Sequence, residues 1–526
     1  MSARLLVIGL DAAESTLIEQ WAREGFLPNI SRLIREGVTS QLTNCLETLP
    51  GAIWPEIWSG RSVGQTGLYY HPEQLHTGEA VLRHVAYDEV NPVDNYWSAA
   101  SRSGRRVCVV DQVQAVLDTT LNGMQVLEWG LHDRTFTGRC HPSDLEQDVK
   151  ARYGEHPVRS CDRYGDSDAG RQALLDDLLD GAARRTKMLL DLLAREPWDL
   201  FSCTLAESHC VGHHFWGCLE SGVSGRHASY PFAHRLAMRT VYKVLDDTIG
   251  KLIAGAGSAT TTMVIASHGM GPARAGYHLL PEILARLGMG SDHGAARGGR
   301  LRTLQNTIKN NIPFPLLSTI RALAGFRLTK ALQRGSGALR FPLESPATRA
   351  VAVPNNRVGG IRLNLKGREP FGSVEPGHDA DAVTDDIRTE LLKLTDPRTN
   401  EPIIDRVVTA DEAFGRDHHA DVPDLMVVFR AGDGPIDMCV SDRVGRIHIP
   451  YYSRRQHRGG DHTVQSRLWA VGPGIAAGAR LPDARTLDIA PTILRLLDVP
   501  VSQDLDGRPI HLQAARVADV PRHAHA

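Results

Sequence analysis

The 526-residue chain lacks a hydrophobic run that is long enough to cross a membrane, since no window approaches about 18 uninterrupted apolar residues. Its first apolar run covers only Leu5 to Leu10 and is not followed by a signal-peptide cleavage pattern. The chain also lacks an excess of one charge: its formal net charge of −2 gives no general attraction to nucleic acid or membranes. We therefore expect a cytoplasmic protein that does not bind nucleic acid.

Cysteine is sparse, with eight residues in the whole chain, and no Cys-x-x-Cys pair indicates a structural zinc site. Scattered cysteines of this kind are typical of buried thiols in a reducing compartment. Three of them, Cys203, Cys210 and Cys218, flank a histidine-rich segment.

What the chain does contain is an alternation of short apolar runs and amphipathic stretches. The pattern predicts strands at Leu5–Gly9, Val107–Val110, Leu200–Thr204, Thr262–Ala266, Ile361–Leu365 and Leu425–Phe429, and helices at Leu27–Glu36, Arg171–Ala194 and Tyr242–Ile253, with a last one after Asp488. This alternation of strands and helices predicts an α/β fold with a mostly parallel central sheet and helices on both faces. We assign residues 1–290 and 346–512 to the two parts of a catalytic core, 291–345 to an inserted cap or lid, and 513–526 to a flexible tail.

The cap differs from the rest in charge. Residues 293–341 carry nine arginines and lysines and no acidic residue, and residues 316–323 have a helical pattern. One interpretation is a surface insertion with a solvated basic face. The other is a lid or docking surface for an anionic substrate, for a lipid headgroup in a peripheral membrane contact, or for an acidic partner.

Histidine and aspartate side chains recur near the ends of predicted strands. Asp11 follows the first strand, His268 follows the strand at 262–266, and His209 and His213 follow the strand at 200–204. His462 stands in a Gly-Gly-Asp-His-Thr run before another apolar strand. Because ligands of such sheets collect beyond the carboxyl ends of the strands, these residues predict a metal site in one crevice.

Each residue taken singly also has an ordinary structural interpretation. His209 and His213, four apart, would share a helix face as a metal pair or as a surface or core pair. His268 could be a turn or helix-capping residue. Asp11 could be the N-cap of a helix at Glu14–Arg23. His462 would reach the site from a flexible glycine loop.

Several longer stretches carry a family resemblance. These are the opening Val-Ile-Gly-Leu-Asp-Ala, Leu27-Pro-Asn-Ile-Ser-Arg-Leu-Ile-Arg-Glu-Gly, Ser59-Gly-Arg-Ser-Val-Gly-Gln-Thr-Gly, Ile361-Arg-Leu-Asn-Leu-Lys-Gly-Arg-Glu-Pro, Pro423-Asp-Leu-Met-Val, the Gly-Asp-His run, and the Asp488 helix with its Leu505-Asp506-Gly507 continuation. Together they resemble the alkaline-phosphatase superfamily, and within it the type I phosphodiesterase/nucleotide pyrophosphatase branch. The resemblance covers nearly the whole chain outside the basic segment and the tail.

The resemblance implies two divalent ions, commonly zinc, beside a Thr or Ser nucleophile. It implies that His462, His213 and the residue at 209 hold the first ion. Asp11, the nucleophile, His268 and the residue at 267 would hold the second.

This chain departs from the family at two of these ligand positions. His209 and Ser267 stand where the family usually has Asp. His for Asp keeps a good zinc ligand but removes a negative charge, whereas Ser for Asp removes both the charge and a strong ligand. The resemblance therefore implies a second site that is weak or that requires another donor. In the stretch after the nucleophile, Thr66 replaces the usual histidine.

Thr48 is the best hydroxyl near the position of the family's nucleophile, with Ser59 and Ser62 as the next candidates. A metal-bound hydroxide could instead attack directly. The resemblance implies a metal-dependent hydrolase of a small anionic ester, a phosphodiester or phosphomonoester, with one or two ions of zinc or manganese. The alternatives are a catalytically reduced member that binds a metal or an anionic ligand, and a transferase that passes the phosphoryl group to an alcohol.

Overall fold

The computed structural model describes residues 5–44, 52–69, 73–75, 82–84, 94–131, 139–165, 167–219, 230–272, 276–290, 347–353, 358–430, 432, 436–449 and 458–512. Its strands are β1 (Leu5–Leu10), β2 (Val38–Thr43), β3 (Glu73–Leu75), β4 (Leu82–His84), β5 (Val107–Val110), β6 (Gly123–Leu127), β7 (Arg139–His141), β8 (Leu200–Leu205), β9 (Thr261–Ala266), β10 (Gly269–Pro272), β11 (Ala350–Val353), β12 (Val358–Leu363), β13 (Ile404–Thr409), β14 (Leu425–Phe429), β15 (Met438–Ser441), β16 (Gly445–His448), β17 (Gly460–Thr463), β18 (Ser466–Val471), β19 (Ala479–Arg480) and β20 (Ala484–Arg485).

The α-helices are α1 (Ser15–Arg23), α2 (Pro28–Glu36), α3 (Ile53–Ser59), α4 (Val63–Thr66), α5 (Tyr96–Arg102), α6 (Leu145–Tyr153), α7 (Asp168–Arg195), α8 (Glu207–Phe215), α9 (Phe232–Ala256), α10 (Leu280–Arg286), α11 (His378–Leu392), α12 (Ala410–Phe414) and α13 (Ile489–Leu496). The predicted strands at 107–110 and 425–429 are found with the same bounds. The helix predicted at 242–253 is longer and spans Phe232–Ala256, because its buried face already includes His234, Ala237 and Met238.

The chain forms two compact units. The first comprises Met1–Ser62, Val90–Ala273 and Tyr452–Ala526, and the second comprises Val63–Glu89 and Arg274–Tyr451. The predicted boundaries at 291 and 345, the whole basic segment and the tail from 513 lie outside the described residues, so the proposed domain division stays a prediction.

A ten-stranded sheet organises the first unit, in the order β19-β2-β18-β9-β1-β8-β5-β6-β7, with β20 also paired to β2. Its central strands, from β9 through β1, β8 and β5 to β6, are all parallel. At the two sides β18 pairs antiparallel with β9, and β7 antiparallel with β6. The prediction of a mostly parallel central sheet is confirmed.

The sheet is apolar on both faces, as parallel sheets require. Leu6, Ile8 and Leu10 of β1 pack in a cluster with residues of α1, α2, α7 and α9. Leu5 and Val7 of the same strand point the other way, toward residues of α3, α5 and α13. Helices therefore cover both faces, as predicted. The seven cysteines that the structure describes are buried.

The second unit has a four-stranded antiparallel sheet in the order β11-β12-β14-β13. Its core contains Ile283 and Leu284 of α10, Ile387 and Leu391 of α11, and strand residues such as Leu425. Across the described ranges of both units, no helix combines the length and the apolarity that a membrane crossing requires.

Candidate metal centre

The carboxyl ends of three neighbouring parallel strands place the candidate residues together. Leu10, at the end of β1, lies beside Leu205 at the end of β8 and beside Ala266 at the end of β9. Asp11, α8 and the Ser267–His268 pair start immediately after these positions. Side chains that are far apart in sequence therefore meet at one edge of the sheet.

His462 reaches the same edge from a strand. Strand β17 pairs antiparallel with β10, and His462 lies opposite Met270. The prediction of a flexible loop here is therefore wrong, because the segment has ladder hydrogen bonds. Gly460 allows this strand to pack on α8: a Cβ atom at this residue would lie 2.3 Å from the Gly212 carbonyl oxygen.

Asp11 is a buried carboxylate with two strong donors. Trp54 Nε1 donates to its Oδ1 at 2.7 Å, and His209 Nδ1 lies 2.8 Å from its Oδ2. Burial by itself would raise the pKa of Asp11, but the charges of His209 and His268 and these hydrogen bonds hold it well below its ordinary value. Asp11 is therefore ionised and accepts hydrogen bonds only. It is not the N-cap of α1, because Glu14 caps that helix.

The partners of the outer ring nitrogens fix the tautomers of the two helix histidines. His209 Nδ1 faces the ionised Asp11, and His213 Nδ1 lies 2.9 Å from the carbonyl oxygen of Gly460. Since neither partner can donate, both Nδ1 atoms carry hydrogen. Burial and the nearby charge of Arg458 lower the pKa of His213 well below its ordinary value, so this ring is neutral and its Nε2 has a lone pair.

The two Nε2 atoms lie only 2.9 Å apart. If both rings are neutral, two lone pairs face each other at this distance, which is unfavourable unless a cation or a proton lies between them. His213 Nε2 also lies 3.2 Å from Arg458 Nη1. The helix pair predicted from the four-residue spacing is confirmed in position.

His268 and His462 extend the cluster. His268 Nε2 lies 3.0 Å from His462 Nδ1. On the other side of the ring, His268 Nδ1 lies 3.0 Å from the Ser267 hydroxyl. This hydroxyl donates to the Leu10 carbonyl oxygen at 3.2 Å. Burial lowers the pKa of His268 to about 4. The ring centroid of His462 lies 4.7–4.9 Å from those of His209, His213 and His268.

The donor set fits a divalent cation. One ring nitrogen from each of His209, His213 and His462 lies within 4.8 Å of the other two, and His213 and His462 are buried. Three imidazoles are a ligand set that zinc uses. Outer hydrogen bonds from Nδ1 to a carboxylate or carbonyl are the usual support of such ligands. The ligand roles of all six residues, His209, His213, His462, Asp11, His268 and Ser267, stay predictions. The Ser267 hydroxyl contacts His268 and the Leu10 carbonyl oxygen.

The predicted nucleophile, Thr48, lies outside the described residues. Of the other two hydroxyls, that of Ser59 is buried and donates to the Pro55 carbonyl oxygen of its own helix at 2.6 Å. The backbone N–H of Ser62 donates to Asp506 at 2.9 Å.

Sequence reasoning missed two residues of the site, Trp54 and Arg458. Trp54 crosses the end of β1 at Gly9, where a Cβ atom would lie 2.5 Å from the indole ring. Gly9 before Asp11 was the available signal, since glycine in a strand often marks a close approach. Arg458, beside the Gly459-Gly460 pair, is held by Asp162 at 2.8 and 2.7 Å. No local pattern in the sequence connects those two residues.

Replacing Trp54 by Phe keeps an aromatic ring but removes the donor to Asp11. We expect the Trp54→Phe protein to bind zinc about 10- to 100-fold more weakly, as is typical when a supporting hydrogen bond is lost. Competition with a chromophoric chelator measures this affinity. Trp58→Phe is the matched control, because its indole donates to the Val113 carbonyl oxygen at 3.2 Å. Equal zinc affinities in both variants would contradict the role of Trp54.

Solved structures of related shape come from ectonucleotide pyrophosphatase/phosphodiesterase 5. The murine protein matches with a TM-score of 0.50 and 11% identity, over 94% of this chain and 95% of that chain. The human protein matches with a TM-score of 0.49 and 9% identity, over 96% and 97%. An inactive form of the murine protein in complex with AMP matches with a TM-score of 0.49 and 11% identity, over 95% and 96%. At 11% identity, the murine match with a TM-score of 0.50 shows a likeness of fold alone.

A comparison with curated proteins finds no match. A family model provides the decisive comparison: the one described as type I phosphodiesterase / nucleotide pyrophosphatase matches residues 5–434. This range includes β1 with Asp11, α8 with its two histidines, and His268 after β9. The chain therefore belongs to the type I phosphodiesterase / nucleotide pyrophosphatase family.

Proposed function

We propose that the protein is a metal-dependent hydrolase of phosphate esters, with a phosphodiester or phosphomonoester as substrate. The observation that supports this most is the convergence of three imidazoles at the edge of the sheet, with His209 and His213 supported by Asp11 and a carbonyl. The description of the family points to the same class of reaction.

In this proposal His209, His213 and His462 hold the first ion, and Asp11 and His268 contribute to a second, weaker one. Zinc fits the imidazoles best, and manganese is the second choice. A divalent ion would supply Lewis-acid stabilisation of charge on the phosphoryl oxygens. Ser267 keeps His268 oriented by accepting from its Nδ1 while donating to Leu10.

The nucleophile we propose is Thr48. Its oxygen would form a bond with phosphorus as the P–O bond to the leaving group breaks, with the threonine proton passing to solvent and the leaving alkoxide taking up a proton. Water would then cleave the phospho-threonine and release phosphate or a monoester. The alternative is direct attack by water, without a covalent intermediate.

Turnover and trapping test this function together. We expect the zinc- or manganese-loaded protein to hydrolyse bis-p-nitrophenyl phosphate or p-nitrophenyl phosphate, and acid-quenched protein to carry a phosphoryl group on Thr48 by mass spectrometry. Thr48→Ala should abolish that adduct. Ser59→Ala is the matched control, because the Ser59 hydroxyl is bonded within its helix. Turnover without an adduct would favour direct attack by water.

A second candidate is a catalytically reduced member that binds a metal or an anionic ligand. Ser267 favours it, because this hydroxyl replaces a family aspartate and is bonded to His268 and Leu10. Such a protein would bind zinc but release no nitrophenol with either metal. The third candidate, a transferase, would form a new phosphate ester when an alcohol is added.

A further inference from the structure

A second group of metal-ligating side chains lies beside the histidine cluster. It consists of Cys161, Asp162 and His214, and one donor atom from each lies within 4.8 Å of the other two. Cys161 and Asp162 lie on a short 3-10 turn, Cys161–Arg163, and His214 lies near the end of α8. His214 follows His213 directly, but its neighbours are different.

The His214 ring is buried, and the described residues offer its nitrogens no hydrogen-bond partner. The residue is 4% exposed. Its Nε2 lies 3.9 Å from the Asp162 carboxylate, which is too far for a hydrogen bond. Leaving a buried polar group unsatisfied is unfavourable, so such a group usually indicates a missing ligand or ion. A neutral imidazole supplies one lone pair that suits a transition metal.

The chemistry of the other two donors points the same way. Cys161 is fully buried, and thiolate, imidazole and carboxylate are the three donor types that zinc uses. A thiolate in the set disfavours calcium and magnesium, which prefer oxygen. Tetrahedral zinc with bonds of about 2.0–2.3 Å places its donors about 3.5 Å apart. The described donor atoms lie within 4.8 Å of one another, so side-chain rotations would have to bring them about 1 Å closer.

Asp162 links this group to the first site. Its carboxylate accepts from Arg458 Nε and Nη2, at 2.8 and 2.7 Å, and Nη1 of the same guanidinium lies 3.2 Å from His213 Nε2. A carboxylate has about four acceptor positions, so two arginine bonds leave lone pairs for an ion. An ion on Asp162 would therefore fix the carboxylate that holds Arg458 against His213.

We propose that Cys161, Asp162 and His214 form a second cation site, for zinc or a similar transition metal, with water as the remaining ligand. The bound ion joins the 161–163 turn to α8 and is separate from the ion of the histidine cluster. Its function is positional: it holds Asp162, and through it Arg458.

Cobalt reports this site by a signal that the histidine cluster cannot produce, since only a thiolate gives sulfur-to-cobalt charge-transfer absorption. We expect the full-length protein, stripped of metal and titrated with Co²⁺, to show this absorption with the amplitude of one thiolate-bound cobalt per chain, in addition to the cobalt that the histidine cluster binds. The absorption should persist in His213→Ala and disappear in Cys161→Ser. His214→Ala should weaken cobalt binding at this site by at least about tenfold, since one of three protein ligands is lost.

Cys218→Ser is the matched control, because Cys218 is also buried and lies just after α8, on the turn Trp216–Cys218. It should keep the absorption. Absorption that persists in Cys161→Ser, or that disappears only in Cys218→Ser, would overturn the assignment. X-ray absorption of the zinc-loaded wild-type protein needs no variant: a sulfur ligand at about 2.3 Å is expected, and nitrogen and oxygen ligands alone would exclude the site. Loss of the charge-transfer band in His213→Ala would mean that the two groups form one site.

Discussion

Replacing His213 by Ala is expected to remove at least about half of the metal that the histidine cluster binds, because the imidazole is one of few protein ligands there. The ring is buried, and the Gly460 carbonyl fixes its tautomer so that the lone pair that can bind an ion is on Nε2. If the ion provides several kcal/mol of transition-state stabilisation, kcat should fall by about 10²- to 10⁴-fold. His462→Ala should behave in the same way. Metal analysis by mass spectrometry, run beside the nitrophenyl ester assay, measures both effects.

His234→Ala is the matched control for these substitutions. His234 is a buried imidazole on α9, and it packs on Phe215 of α8, the helix that carries His213. Burial lowers the pKa of His234, as it lowers the pKa of His213. The metal content of this variant should match that of the wild-type protein. Unchanged metal content in both His213→Ala and His462→Ala would exclude the histidine cluster as the metal site. Circular dichroism of each variant verifies that the sheet and helices are retained.

Replacing Arg185 by Met is expected to cost about 3–5 kcal/mol of stability, because it removes the cation from a buried group of charges. Arg185 Nε lies 3.3 Å from Glu207, its Nη2 lies 3.8 Å from Asp111, and its Nη1 donates to the Thr204 carbonyl oxygen at 2.8 Å. All three charged residues are at most 2% exposed. Burial raises the pKa of Asp111, and the charge of Arg185 opposes that rise.

Thermal unfolding measures this loss, and we expect a fall in Tm on the order of 5–10 °C. The adjacent Arg184→Met is the matched control. Arg184 pairs with Asp180 one helical turn away, and both side chains are more than 40% exposed, so the change should stay within about 0.5 kcal/mol. Equal Tm values for the two variants would show that the buried group has no net stabilising role. Because Glu207 begins α8, Arg185→Met should also weaken zinc binding by His209 and His213.

Local patterns predicted strands β1, β5, β8 and β9 and helices α2, α7 and α9 of the first unit. The strands at the start of the chain and at 107–110, 200–205 and 261–266 were recognisable because a parallel strand buried on both faces is a continuous apolar run. Helix α2 and helix α7 were recognisable from their apolar period. The prediction of a flexible loop at His462 was wrong, because glycines that indicate a loop also allow a strand to lie close against a helix.

The sequence by itself determined the fold class and the family, and it supplied the candidate metal ligands, because apolar runs, strand ends and histidine positions are local properties. Only the tertiary structure decided which nitrogen of each imidazole faces inward, because that depends on distant acceptors such as Asp11 for His209 and Gly460 for His213. It also placed Trp54 on Asp11 and Arg458 between Asp162 and His213. These contacts join segments that are 43 to 296 residues apart, and their partners are set by how the strands and helices pack.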